Sequence, residues 1–251
     1  MKFFRHFTSF LTENFFTSVL FCAIMYPLKF ENIFKSVVWG GEKIAPFKGV
    51  ETDQHNIGES WELSYVPGSE SSVDGKKICE VFDRSAWGKN CDGFDAFPVL
   101  TKFIDARDKL SVQVHPSDEY ALENEGQYGK TEMWYVINAQ PESYIYAGFK
   151  EELTPEEYAR KVADGTIMDA LAKHEVHAGD VFYLPAGRIH AIGKGVLLAE
   201  VQQTSDITYR IYDYGRPGLD GKPRELHTDL AAQALDYTVH KEYRNAYKEN
   251  I

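Results

Sequence analysis

One segment constrains the chain more than any other: Gly179-Asp180-Val181-Phe182-Tyr183-Leu184-Pro185-Ala186-Gly187-Arg188-Ile189-His190. Val181, Phe182, Tyr183 and Leu184 form a short apolar run rich in strand formers. Pro185 fixes one φ and Gly187 supplies a permissive one, which together specify a turn. A second strand then begins at His190, so the unit delivers an imidazole to the mouth of whatever its strands enclose. A lone histidine after a turn is ordinarily a core or surface residue. Partners elsewhere in the chain would make it a ligand.

The rest of the sequence reads as more short strands. They are expected over Glu59–Val66, Pro98–Ile104, Lys109–His115, Thr131–Ile137, Tyr144–Phe149, Val196–Gln202 and Thr208–Tyr212, with turn signals between them. Trp39-Gly40-Gly41 is read as a loop. Helices are confined to insertions. Ser117 can cap one over Asp118–Glu125, Thr154-Pro155-Glu156-Glu157 is a capping box opening another to Ala163, a short one follows near Ile167–Lys173, and a last covers Leu230–Leu235. This pattern points to a mainly β chain folded as an antiparallel barrel or jelly roll.

Of the 251 residues, 43% are hydrophobic, enough for one or two domains with a real core. The net charge of −11 argues against nucleic acid as a partner but allows a small phosphorylated ligand, which needs only a few local cations. Cys22, Cys79 and Cys91 are odd in number and lack C-x-x-C spacing, as expected of reduced thiols in a cytoplasmic protein. Residues 1–24 hold an apolar run from Phe15 to Ile24. Glu13 and Asn14 interrupt that segment, no small-residue cleavage site follows, and the run is too short to span a membrane. The expectation is a non-family extension with the natural start at Met25.

Several polar residues stand on apolar strands. Alternation puts Gln113 and His115 on one face, about 7 Å apart. It puts Lys130, Glu132 and Trp134 together on another, where a carboxylate is costly to bury unless paired or bound to a metal. The plainer possibility for Glu132 alone is a solvated face. With Gln113, His115 and His190 as co-ligands, the set offers nitrogen and oxygen donors suited to Zn²⁺, Fe²⁺ or Mn²⁺. Glu200 shares a face with Gln202. Arg210, between tyrosines and aliphatics, is either a surface residue with a snorkelling stem or a buried anion clamp.

Four motifs occur in order: Ser111-x-Gln113-x-His115-Pro116, Gly129-Lys130-Thr131-Glu132-x-Trp134-Tyr135, Ala186-Gly187-x-x-His190-Ala191 and Gln202-Gln203-x-Ser205-Asp206-x-Thr208-Tyr209-Arg210-x-Tyr212-Asp213. Together they resemble type I mannose-6-phosphate isomerase in its short bacterial form, and the Gly179–His190 unit resembles the second motif of the cupin superfamily. The resemblance runs from about Tyr26 to the C-terminus. It implies a cupin-type jelly-roll barrel with short helical insertions and one Zn²⁺ per chain bound by Gln113, His115, Glu132 and His190. It further implies a sugar-phosphate substrate, Arg210 as an active-site residue and Lys130 in the pocket. Glu200 is the candidate base, because a partly buried carboxylate can have its pKa raised toward neutrality, and Lys130 is the rival; Ser111, Lys130 and Arg210 are the expected substrate contacts. Lys130, Arg210 and Lys102 are the cations available for a phosphate. No nucleic acid, no membrane and a cytoplasmic monomer are expected. Residues 25–251 would be the catalytic cupin domain, and the family's small C-terminal β-domain has no counterpart before Ile251. A metal- or sugar-phosphate-binding cupin without turnover is the alternative. An Fe²⁺ oxygenase fits less well, because Gln113 stands where a His-x-His pair would need its first histidine.

Overall fold

The computed structural model describes residues 28–246, so the expectations for residues 1–24 lie outside the described residues. The strands are β1 (Ile33–Gly41), β2 (Ile57–Leu63), β3 (Ser72–Val73), β4 (Lys76–Lys77), β5 (Val99–Ala106), β6 (Val112–Val114) and β7 (Glu132–Ala139). They continue with β8 (Tyr144–Phe149), β9 (Leu171–Glu175), β10 (Val181–Leu184), β11 (His190–Ile192), β12 (Val196–Gln203), β13 (Tyr209–Tyr212) and β14 (Arg244–Asn245). Two antiparallel sheets face each other as a cupin-type jelly roll. A seven-stranded sheet runs β1-β2-β5-β12-β7-β10-β14 and a five-stranded sheet runs β13-β6-β11-β8-β9.

Period-2 alternation sorts the side chains. Between the sheets, Ile104, Trp134, Phe182 and Leu198 pack with Ile145, Ala147 and Ile192. The five-stranded sheet is apolar on its other face too. There Val112, Val114, Ala191 and Ile211 pack with Tyr158, Ile167, Ala231 and Leu235 from the helical insertions. The longest insertion, helix Pro155–Ala163, starts as its sequence dictates: Thr154 Oγ1 accepts from the Glu157 amide and Glu157 returns the bond to the Thr154 amide. The outer face of the seven-stranded sheet is covered only in part, by the short helix Ile44–Lys48, whose Ile44 packs with Phe103, Ile137 and Leu197, and Tyr135 and Tyr183 stand exposed on it.

Two expectations are corrected. Trp39-Gly40-Gly41 is the end of β1 rather than a loop. Gly40 lies where a Cβ would sit 2.0 Å from the Asn56 carbonyl oxygen, so its glycine serves a close backbone approach at an irregular β1–β2 pairing. The helix expected near Ile167–Lys173 is a single 3-10 turn over Ile167–Ala170, and Leu171 then enters β9, paired with β8 at the edge of the five-stranded sheet. The pull of the sheet edge outweighs weak helix propensity. Among the described residues no helix is long and apolar enough to cross a membrane.

Candidate active site and metal centre

Two rows of side chains face each other across the barrel. In the five-stranded sheet, register pairs Arg210 of β13 with Gln113 of β6, and Gln113 with His190 of β11. In the seven-stranded sheet, Trp134 of β7 pairs with Glu200 of β12, Glu200 with Lys102 of β5, and Lys102 with Trp61 of β2. The Trp134 and His190 rings meet edge to face, 5.3 Å between centroids, and join the rows. Between them lies a cavity of about 180 Å³ lined in part by Ser111, Gln113, Lys130, His190, Glu200 and Arg210.

The turn before His190 is the hub of one end. Gly187, at φ +87°, needs glycine's freedom, and its amide donates to the His115 carbonyl at 2.9 Å. The Ala186 amide donates to Thr131 Oγ1, next to Glu132. The Arg188 carbonyl accepts from His190 Nδ1 at 2.8 Å. The same turn therefore ties down the His115 carbonyl, the Thr131 hydroxyl and the His190 ring, three points far apart in sequence.

His115, Glu132 and His190 converge. His115 Nε2 lies 3.4 Å from Glu132 Oε2, and His190 Nε2 lies 3.3 Å from Glu132 Oε1. One ligand atom from each falls within 4.8 Å of the others. His115 Nδ1 donates to the Ile207 carbonyl at 2.8 Å, as His190 Nδ1 does to Arg188. A carbonyl can only accept, so both imidazoles carry their proton on Nδ1 and turn a bare Nε2 toward Glu132. His115, Glu132 and His190 are each 2% exposed, yet His115 Nε2 and both Glu132 oxygens have no hydrogen-bond partner among the described residues. Buried polar atoms are rarely left so. Gln113 Nε2 stands 3.3 Å from His190 Nε2, and its Oε1 accepts from Ser111 Oγ at 3.3 Å.

Electrostatics follow from this packing. Burial, then the charge of Lys130, drives the His115 pKa down to about 3, so the ring is neutral and able to ligate. Burial also lowers that of His190. For Glu132 burial is the largest influence and acts upward, but the charge of Lys130, with Nζ 3.2 Å from Oε2, holds the carboxyl well below its usual range.

The other side of the cavity is differently organised. Glu200 Oε2 accepts from the Trp134 indole at 2.7 Å, and its Oε1 lies 3.5 Å from Lys102 Nζ. Lys102 also lies 3.5 Å from Glu59 Oε2, which accepts from the Trp61 indole at 2.7 Å. Burial, then the charge of Glu132, raises the Glu200 pKa. Lys102 is thus engaged between two carboxylates, deep in the barrel. Sequence reasoning missed Glu59, the indole of Trp134 as a brace for Glu200, and Arg224, which lines the cavity from a distant loop. A signal for the first was present, since Glu59 and Trp61 share a strand face by alternation.

Residues 27–156 match the family model for phosphomannose isomerase type I, catalytic domain. The mannose-6-phosphate isomerase ManA of Bacillus subtilis is 40% identical over 233 residues, covering 90% of this chain and 73% of that protein. The chain belongs to the type I phosphomannose isomerase family. The mannose-6-phosphate isomerase of Streptococcus mutans is 40% identical over 216 residues, covering 83% of this chain and 67% of its own length. The crystal structure of the Bacillus subtilis mannose 6-phosphate isomerase superimposes with a TM-score of 0.80 at 35% identity, over 86% of this chain and 71% of that one. A zinc-bound holo mannose 6-phosphate isomerase shares the fold at a TM-score of 0.67 and 15% identity, over 87% of this chain and 77% of that one. As a phosphomannose isomerase family member the chain is an enzyme of the aldose–ketose isomerase class.

Proposed function

We propose that this chain interconverts mannose 6-phosphate and fructose 6-phosphate with one zinc ion held by Gln113, His115, Glu132 and His190. The observation that carries the metal is the cluster of unpartnered, buried ligand atoms at His115 and Glu132, beside a His190 whose Nε2 faces the same point. Two neutral imidazoles and a carboxylate are a zinc donor set. Rotating the Gln113 amide by half a turn would present Oε1 as a fourth donor, an exchange that leaves the side chain's shape unchanged. Three strong ligands and one weak amide leave room for substrate, as catalytic rather than structural zinc sites do.

When bound, zinc supplies Lewis-acid polarisation of a carbonyl or hydroxyl oxygen and neutralises developing negative charge. The chain's own residues do the rest. The reaction takes a proton from C2 and returns it to C1 through a cis-enediol, so it needs one positioned base. Glu200 is the proposed base. The Trp134 indole and Lys102 hold its two oxygens, and its raised pKa brings its proton affinity nearer to neutral pH, where a base is most effective. Lys130 sits beside Glu132 and lines the cavity, which suits contact with substrate and makes it the rival base. Arg210 neighbours Gln113 in the register and can stabilise oxyanion charge on the enediol. Ser111 fixes the Gln113 amide and faces the substrate space.

A coupled assay with mannose 6-phosphate, run before and after chelation, tests this reading. Turnover should vanish on chelation and return with zinc, with about one zinc per chain bound in the active sample. Undiminished turnover in metal-free protein would remove zinc from the mechanism. A folded, zinc-loaded sample without turnover would leave only a metal-binding module.

A further inference from the structure

We infer that Arg224, gripped by the buried carboxylate of Asp213 beside Arg210, is the receptor for the substrate's phosphate group; the inference rests on the isomerase reading above. Arg224 is separated from β13 by a loop that folds back on itself, with the Gly218 amide donating to the Lys222 carbonyl at 2.7 Å and a bridge between Pro217 and Pro223. The returning chain then brackets Arg210. The His227 amide donates to the Arg210 carbonyl at 2.7 Å, and the Arg210 amide donates to His227 Nδ1 at 3.2 Å. This brings Arg224 to the same cavity as Gln113 and His190. The order across the mouth becomes Arg224, Arg210, Gln113, His190, a path leading from the guanidinium groups to the proposed reacting end.

Asp213 is built to hold that guanidinium. It is 5% exposed. Its Oδ2 accepts from Arg224 Nε at 2.7 Å and its Oδ1 from Arg224 Nη2 at 2.6 Å, a two-point grip. Arg216 shares Oδ1 at 2.9 Å and reaches Asp108 with its other arm at 3.3 Å. Burial alone would raise the Asp213 pKa, but the bonds from Arg224 and the charges of both arginines hold it below the usual carboxylate range. The carboxylate is therefore ionised. Because Nε and Nη2 are spent on Asp213, Arg224 keeps Nη1 for a ligand.

The two arginines that line the cavity, Arg210 and Arg224, keep donors for an anion. Arg216 and Arg224 both pair with Asp213, Asp108 lies beside Arg216, and Arg210 donates through Nη1 to the Glu225 carbonyl with the Glu225 charge nearby, while Asp206 also lines the cavity. Burial, then the nearby charge of Arg224, disfavours the charged form of Arg210, whose buried Nε has no hydrogen-bond partner among the described residues. A phosphate dianion between the two guanidinium groups would relieve that repulsion and satisfy planar donors that match its oxygens. Lys102 is the weaker candidate, since Glu59 and Glu200 already compensate it.

The test is steady-state kinetics of Arg224→Ala, Arg224→Lys and Asp213→Asn with mannose 6-phosphate, with inorganic phosphate as competing inhibitor. Arg224→Ala should raise KM roughly 10- to 100-fold while kcat changes much less, the size expected for losing charge-assisted bonds. The inhibition constant for inorganic phosphate should weaken in parallel. Arg224→Lys should recover only part of the loss, because an ammonium lacks the fork. Asp213→Asn should move KM the same way by less. Unchanged KM and unchanged phosphate inhibition in Arg224→Ala would overturn the assignment, as would a fall in kcat with KM intact. Should the wild-type protein not turn over mannose 6-phosphate, the isomerase reading fails separately, and calorimetric titration with inorganic phosphate still decides: binding lost in Arg224→Ala supports the receptor, and equal binding removes it. If the alanine variant does not fold, as judged by its melting curve and zinc content, the lysine variant carries the same comparison.

Discussion

Glu132 and Glu200 stand on neighbouring strands and are buried alike, at 2% and 3% exposure. Their surroundings pull them apart. Glu132 meets the Lys130 ammonium, which favours its ionised form, and both its oxygens lack a hydrogen-bond partner among the described residues. Glu200 is gripped by an indole and a lysine shared with Glu59, and burial with the nearby Glu132 charge raises its pKa. One carboxylate is kept ionised and open for a cation. The other is kept in place and eager for a proton. Two carboxyl groups whose environments separate their proton affinities are the usual mark of divided labour at an active site. Here the division follows from which partners the register supplies.

Three substitutions would break or sharpen this contrast. Glu132→Gln should have the largest effect: bound zinc should be lost and turnover should fall by more than the roughly 10- to 100-fold typical of losing a group that only braces a ligand. Metal analysis beside the coupled assay checks it, and a variant that keeps both zinc and activity would end the ligand assignment. Glu200→Gln should keep its zinc but lose roughly 10²- to 10⁴-fold in kcat, the range of one general base. A base works ionised, so wild-type activity should fall as pH drops through the raised Glu200 pKa, and that acid limb should be absent from whatever activity the variant retains. A loss of only a few-fold would hand the role to Lys130. Trp134→Phe should be mildest. The indole bond favours the ionised carboxylate, so its loss should push the acid limb to higher pH by about one pH unit, with zinc content unchanged. A limb that does not move belongs to some group other than Glu200.

Much of this was legible in sequence because it is local. The strands Tyr144–Phe149, Val181–Leu184 and His190–Ile192 and the helix Pro155–Ala163 coincide with their alternation, turn and capping signals. The cavity also gathers residues singled out from four separate motifs, among them Gln113, Lys130, His190 and Arg210. What escaped was set by pairing between distant segments. Gly40 reads as a loop signal until Asn56 is seen pressed against it. Leu171–Lys173 reads as the end of a helix until β8 offers an edge. Glu59 and Asp213 look like ordinary solvated charges, and only the register and the returning loop show that each is buried against a cation.

Strand β12 has a consequence for how the chain comes together. It lies between β5 and β7 and pairs with both along nearly its whole length, so Val99 meets Gln203 and Ala106 meets Val196. Such distant partners must find each other through a large loss of loop entropy, which makes them late and slow to join. Until Glu200 docks there, nothing separates β5 from β7, and the cavity has no wall on that side. During synthesis, the chain must have emerged past β12 before this centre can exist at all. Errors in its assembly should therefore appear as slow maturation of activity after the sheets have already acquired their secondary structure.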